Sequence, residues 1–194
     1  MKGIRYLLKR DFKVKRETIK NKELKSALLF LLCICSTYLS FCQAAKDFMS
    51  MGIERQKKKD YSGSILMFSK ALKLNPKLSE AYFQRGYSKH LQGNNHEAIE
   101  DYDLAFDLNT KQHAEFFFYR GEANRAILEY NEAIEDYNIA VGLKPNYLEA
   151  YLNMSFVKAK QKSIIPALGD MSKAIRLGAD IAIKRMQVFV MELW

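Results

Sequence analysis

One arrangement of bulky, small and polar side chains recurs four times between Ala45 and Asp180. Numbered over 34 positions, the units begin at Ala45, Ser79, Ala114 and Leu148, with one residue inserted near Lys111-Gln112-His113. Position 4 is Phe48, Tyr82, Phe117 and Tyr151, and position 24 is Phe68, Tyr102, Tyr137 and Met171. Small residues fill three other columns. Position 8 is Gly52, Gly86, Gly121 and Ser155; position 20 is Ser64, Ala98, Ala133 and Ala167; position 27 is Ala71, Ala105, Ala140 and Ala174. Positions 20, 24 and 27 lie at helical spacing and share one face. Small side chains there let two helix backbones approach closely, and the aromatics fill the space beside them. Pro76 and Pro145, at position 32, stop the second helix, because proline lacks the N–H and clashes with the preceding turn. Each unit is therefore predicted as a helical hairpin that cannot bury its apolar face alone. Stacking the units 45–78, 79–113, 114–147 and 148–180 buries a continuous core.

The fourth unit departs most from the pattern. It carries Met154, Ser155 and Met171, and its Pro166 falls at position 19, in the first turn of a second helix where proline is tolerated. Beyond Asp180, a candidate N-cap, Ile183, Met186, Val190 and Leu193 recur at amphipathic spacing. That spacing predicts a capping helix over 181–194, since solenoid ends need covering; contact of Phe189 and Trp194 with a partner is the rival reading.

These columns resemble the tetratricopeptide repeat family over residues 45–180. The resemblance implies an all-α, right-handed solenoid of about four helix-turn-helix units. It also implies a concave groove lined by positions 5 and 9 of each first helix. Those positions are Met49 and Ile53, Phe83 and Tyr87, Phe118 and Glu122, and Leu152 and Phe156. Seven of the eight are apolar or aromatic, which suits an apolar helix or extended peptide. One subclass of the family holds a peptide's terminal carboxylate with Lys and Asn at the first unit's sites; Met49 and Ile53 stand there instead, so that activity is not expected. Position 2, on the rim, is Lys46, Glu80, Glu115 and Glu149. Three acids could favour a basic partner, or could simply complement a helix N-terminus. Position 11, usually a large aromatic in the family, is Arg55, Lys89, Asn124 and Lys158.

Charge changes the picture only at the N-terminus. The net charge is +9, and residues 1–25 alone hold ten basic and three acidic side chains. The repeats are nearly neutral, so no nucleic-acid partner is expected. A basic tail (1–25) followed by an uncharged apolar stretch (26–44) has the layout of a secretory signal, with a cut near Ala44. A membrane anchor through residues 26–45 is a second reading, since about 20 apolar residues just span a bilayer. Lipidation at Cys42 is a third, although Phe41 stands where a small residue is usual. Secretion to the periplasm or cell envelope, or tethering with the repeats outside the cytoplasm, follows from these readings.

Catalytic chemistry is not expected. All three cysteines, Cys33, Cys35 and Cys42, lie in the apolar stretch. His90, His96 and His113 make no metal-binding spacing, and there is no phosphate loop or nucleophile elbow. No metal and no cofactor are therefore expected. The acidic runs Glu97–Asp101 and Glu132–Asp136 recur at one unit position and are read as the solvated face of the second helix. The sequence thus predicts a non-catalytic scaffold that binds a protein or peptide. The alternative is an accessory subunit of an envelope complex, binding through its convex face or C-terminal helix.

Overall fold

The computed structural model describes residues 29–31, 33–34, 40–41, 43–108 and 113–178. The basic tail, most of the apolar stretch, Cys42 and the expected capping helix lie outside them. The chain divides into two compact units, 1–44 and 45–194. In the first, the described residues 29–31, 33, 34, 40, 41, 43 and 44 are helical, and all but the half-buried Ala44 are exposed. No helix among the described residues is long and apolar enough to cross a membrane.

In the second unit every regular element among the described residues is an α-helix. The order is α1 (45–57), α2 (Tyr61–Leu74), α3 (Ser79–Leu91), α4 (Asn95–Leu108), α5 (Ala114–Ala126), α6 (Tyr130–Leu143), α7 (Leu148–Lys160) and α8 (Ile164–Leu177). Odd-numbered helices open the repeats and even-numbered helices close them. Each helix packs on its neighbours in the chain, and α3 also touches α5. Successive hairpins therefore stack, and the chain is an all-α helical solenoid.

The columns explain why the hairpins close. A Cβ on Gly86 would sit 3.0 Å from Tyr102 Cε1, and one on Gly121 would sit 2.9 Å from Tyr137 Cε1. Backbone and ring therefore meet with no room for a methyl group. Ala98, Ala105, Ala133 and Ala140 are fully buried around the same rings. In the fourth unit Met171 replaces the ring, and its adaptable side chain accommodates Ser155, whose hydroxyl donates to the Leu152 carbonyl at 2.7 Å.

The turns obey a rule the columns do not display. Position 15 is left-handed in all four hairpins: Lys59 (φ 60°), Gly93 (87°), Leu128 (69°) and Lys162 (61°). In each, the N–H of position 16 donates to the carbonyl of position 11 at 2.9 Å: Asp60 to Arg55, Asn94 to Lys89, Glu129 to Asn124 and Ser163 to Lys158. This six-to-one bond is the Schellman closure, which usually takes glycine at the left-handed residue. Only the second repeat supplies it. Asp60 then caps α2 by accepting from Gly63 N–H at 2.9 Å. At the far end, Asn75 and Lys144 turn extended, as residues before proline must.

The acidic runs are not uniformly solvated, which corrects the sequence expectation. Glu97, Glu100, Glu132 and Glu135 are exposed, but Asp101 and Asp136, at position 23, are 2% exposed. Arg85 grips Asp101 with two bonds of 2.8 and 2.6 Å, and Lys89 adds a third contact at 3.0 Å. Arg120 holds Asp136 at 2.6 Å and reaches back to Asp103 of the preceding repeat at 2.5 Å. Asn124 donates to Asp136 at 3.0 Å, and Lys158 meets Asp170 at 2.6 Å. Polar residues at position 11 thus replace the family's aromatic because they face a buried aspartate. The first repeat has Met67 in that slot, so Arg55 pairs with Asp60 instead. Burial lifts the Asp136 carboxyl above the usual range, against the opposing pull of Arg120.

Candidate functional site

The eight residues expected to line a groove sit on α1, α3, α5 and α7, four positions apart on each helix, so each pair shares a face. Their exposures differ. Phe83 and Phe118 are each 8% exposed and Leu152 is 3% exposed. Phe83 stacks on Phe116 with ring centroids 4.3 Å apart, and Phe118 lies 4.8 Å from Tyr147. Leu152 packs with Met171 and Ala174. Position 5 in these three repeats is thus built into the packing between helices. Met49, Ile53, Tyr87 and Phe156 remain partly exposed, as does Glu122.

Position 6 contributes a residue that the positions 5 and 9 reading passes over. Tyr119 is partly exposed; it meets Tyr87 edge-on at 4.7 Å and lies 6.0 Å from Phe83. It joins the second and third repeats across α3 and α5. Its signal in the sequence was faint, because it follows three phenylalanines and precedes Arg120. Nothing local separates a rim tyrosine from a core aromatic in such a run.

Glu122, the one acidic member of the stripe, is committed within the fold. It accepts hydrogen bonds from Tyr137 of α6, from Asn153 of α7 at 2.5 Å, and from Arg125 of its own helix at 2.9 Å. One carboxylate thereby ties three helices together. The second repeat has no counterpart: Tyr87 occupies that position, and the hydroxyl of Tyr102, itself 1% exposed, is buried without a hydrogen-bond partner among the described residues. Burial raises the pKa of both Tyr102 and Tyr137 well above the ordinary tyrosine range.

The position 2 residues Lys46, Glu80, Glu115 and Glu149, expected on the rim, are all exposed. Gln84 donates to Glu80 at 2.7 Å. Lys144 lies 3.7 Å from Glu115, and its ammonium sits 4.3 Å above the Tyr147 ring. Among the histidines, His90 Nδ1 is 2.7 Å from Asn95 Oδ1, His96 is exposed, and His113 precedes α5. No group of three metal-ligating side chains occurs among the described residues. Cys33 is exposed, and Cys42 lies outside the described residues.

A tetratricopeptide repeat family model matches residues 67–100, from α2 into α4. No curated protein matches the chain. Among solved structures, a crystal structure of MamA protein superposes with a TM-score of 0.65 at 27% identity, over 70% of this chain and 73% of that one. MamA 41-end from Desulfovibrio magneticus RS-1 gives 0.66 at 20% identity, over 69% and 75%. The first repeat domain of Spaghetti (RPAP3), bound to the HSP90 peptide SRMEEVD, gives 0.59 at 23% identity, over 62% and 94%. With four hairpins built on one small-and-aromatic column set, a family model matching residues 67–100 and these neighbours, the chain has the tetratricopeptide repeat fold, a scaffold fold that points to protein–protein interaction.

Proposed function

We propose that the protein is a non-catalytic scaffold that binds a protein or peptide segment on the face formed by α1, α3, α5 and α7. The observation that carries this reading is the partly exposed series Met49, Ile53, Tyr87, Tyr119 and Phe156, spread over all four first helices. Apolar and aromatic side chains left part-open on a rigid helical face supply the anchors on which binding energy concentrates. The RPAP3 neighbour holds a peptide ending in acidic residues. Here Met49 and Ile53 offer no cation at the first repeat, so a different segment is the fitting ligand.

Tyr87→Ala with Phe156→Ala tests the assignment. Both side chains are partly exposed, so the variant keeps its helical circular dichroism and loses the captured partner. Retained capture would sink the groove assignment. Phe83→Ala with Phe118→Ala is the poorer test, because removing two buried rings costs about 3–5 kcal/mol each and opens the core.

A basic tail ahead of an apolar stretch supports export or tethering with the repeats outside the cytoplasm. The N-terminal residue of the mature protein separates the forms: a start near Ala45 means cleavage, an intact start in the membrane means anchoring, and a blocked Cys42 means lipidation. An intact start in the soluble cytoplasmic fraction would refute all three.

A second reading, binding through the outer face, is favoured by Leu104 and Leu108 on α4 and Ile139 and Leu143 on α6. All four are exposed and repeat at positions 26 and 30. Leu104→Ser with Ile139→Ser would then abolish capture while Tyr87→Ala with Phe156→Ala would not.

A further inference from the structure

The groove face pairs open aromatic surface with carboxylates on its rim. Glu80, Glu115 and Glu149 stand exposed in the first turns of α3, α5 and α7. A helix N-terminus stabilises an acid in that turn, and this accounts for their helical position. It does not account for what surrounds them. Glu149 has no hydrogen-bond or ion-pair partner among the described residues. Glu115 is met only loosely, at 3.7 Å, by Lys144.

Lys144 shows what this corner accepts. Its ammonium sits 4.3 Å above the face of Tyr147 and beside the Glu115 carboxylate. An aromatic face and a carboxylate together make a cation site, since the ring quadrupole attracts positive charge. Burial does most to raise the Tyr119 and Tyr147 hydroxyls above the ordinary range, and the negative charges of Glu115 and Glu149 add to it. Both acids therefore project their field onto the aromatic lining. Arg125, the nearby guanidinium on α5, is already tied to Glu122 at 2.9 Å.

Resting on the groove reading above, we propose that the segment this face accepts is basic: its lysine or arginine side chains meet Glu80, Glu115 and Glu149 while its apolar residues lie on Tyr87, Tyr119 and Phe156. Charge complementarity selects the partner and steers its approach, and the aromatics hold it. An acidic tail such as the RPAP3 ligand would meet like charge on this rim.

The test uses the full-length chain and a fluorescently labelled peptide of alternating leucine and lysine, with matched versions carrying glutamate or serine for lysine. Binding is read by anisotropy at low and moderate salt. The lysine peptide binds about tenfold or more tightly than the other two, as three exposed ion pairs allow, and weakens as salt screens the rim. Glu80→Gln, Glu115→Gln and Glu149→Gln together remove that preference while helicity at the assay temperature is kept, with only the modest loss of stability that three first-turn acids account for. If the acids serve only the helix N-termini, the triple variant binds the lysine peptide unchanged, which overturns the proposal. Equal binding of all three peptides that is lost in Tyr87→Ala with Phe156→Ala also overturns it, while leaving the groove reading standing. Binding of none of the three overturns it too, and capture by a natural partner then decides the groove separately.

Discussion

Tyr102 and Tyr137 occupy the same repeat position, bury a phenol ring against equivalent glycines, Gly86 and Gly121, and differ in one hydrogen bond. This makes them a controlled pair. Tyr137 donates to the Glu122 carboxylate, whereas the Tyr102 hydroxyl is buried with no partner among the described residues. Replacing either by phenylalanine keeps the ring, so the packing contribution cancels. At Tyr137 the change removes a hydrogen bond to a charged group, worth about 1.5–3 kcal/mol, and leaves Glu122 with two donors. At Tyr102 it removes a buried polar group that makes no bond, whose desolvation costs about 1–3 kcal/mol. Tyr137→Phe is therefore expected to destabilise the fold by about 2 kcal/mol, and Tyr102→Phe to be neutral or to stabilise it by about 1 kcal/mol. In a chain of this size about 1 kcal/mol moves the melting temperature by about 2–4 °C, so the two variants separate by at least about 4 °C. Thermal and urea unfolding followed by circular dichroism measure this directly. Equal losses from both substitutions would refute the reasoning, because the hydroxyl's partner would then be irrelevant.

Three further predictions follow from the same geometry. Leu128 sits at φ 69° and is largely exposed. Leu128→Gly removes left-handed strain and stabilises by about 1 kcal/mol, while Gly93→Ala loses a similar amount; a rise in urea midpoint for the first and a fall for the second check it. Asp136→Ala leaves Arg120 without its buried partner and costs about 3 kcal/mol, the lower end for breaking such a pair because Asp103 remains; a loss under about 1 kcal/mol would contradict the buried ion pair. Tyr102 and Tyr137 have folded-state pKa values raised by burial. Their contribution is complete below the unfolded tyrosine value of about 10 and is lost as pH climbs above it. Tyrosinate absorbance of these two residues should therefore appear together with unfolding, and ionisation in a fully helical protein would argue against their burial.

The repeat, the hairpins and their stacking were legible in the order of residues alone. The reason is that helix packing at these columns is a matter of bulk at fixed spacing. A ring at position 24 needs a glycine at position 8 and small side chains beside it, and that requirement is written locally in the first three units, while the fourth pairs Met171 with Ser155. Even Pro166, in the first turn of α8, was placed by chain chemistry alone. Three matters were decided only in three dimensions. Asp101 and the exposed Glu100 are adjacent and chemically alike, yet only one meets Arg85 across 16 residues of sequence. Phe83 and Tyr87 share a helix face, but Phe83 is sealed by Phe116 of the next repeat while Tyr87 stays part-open. Glu122 belongs to the groove stripe by spacing, and its partners on α6 and α7 make it a tie between helices. Periodicity fixes which way a side chain points from its own helix; the neighbouring repeat decides whether that direction meets a ring, a counter-charge or water.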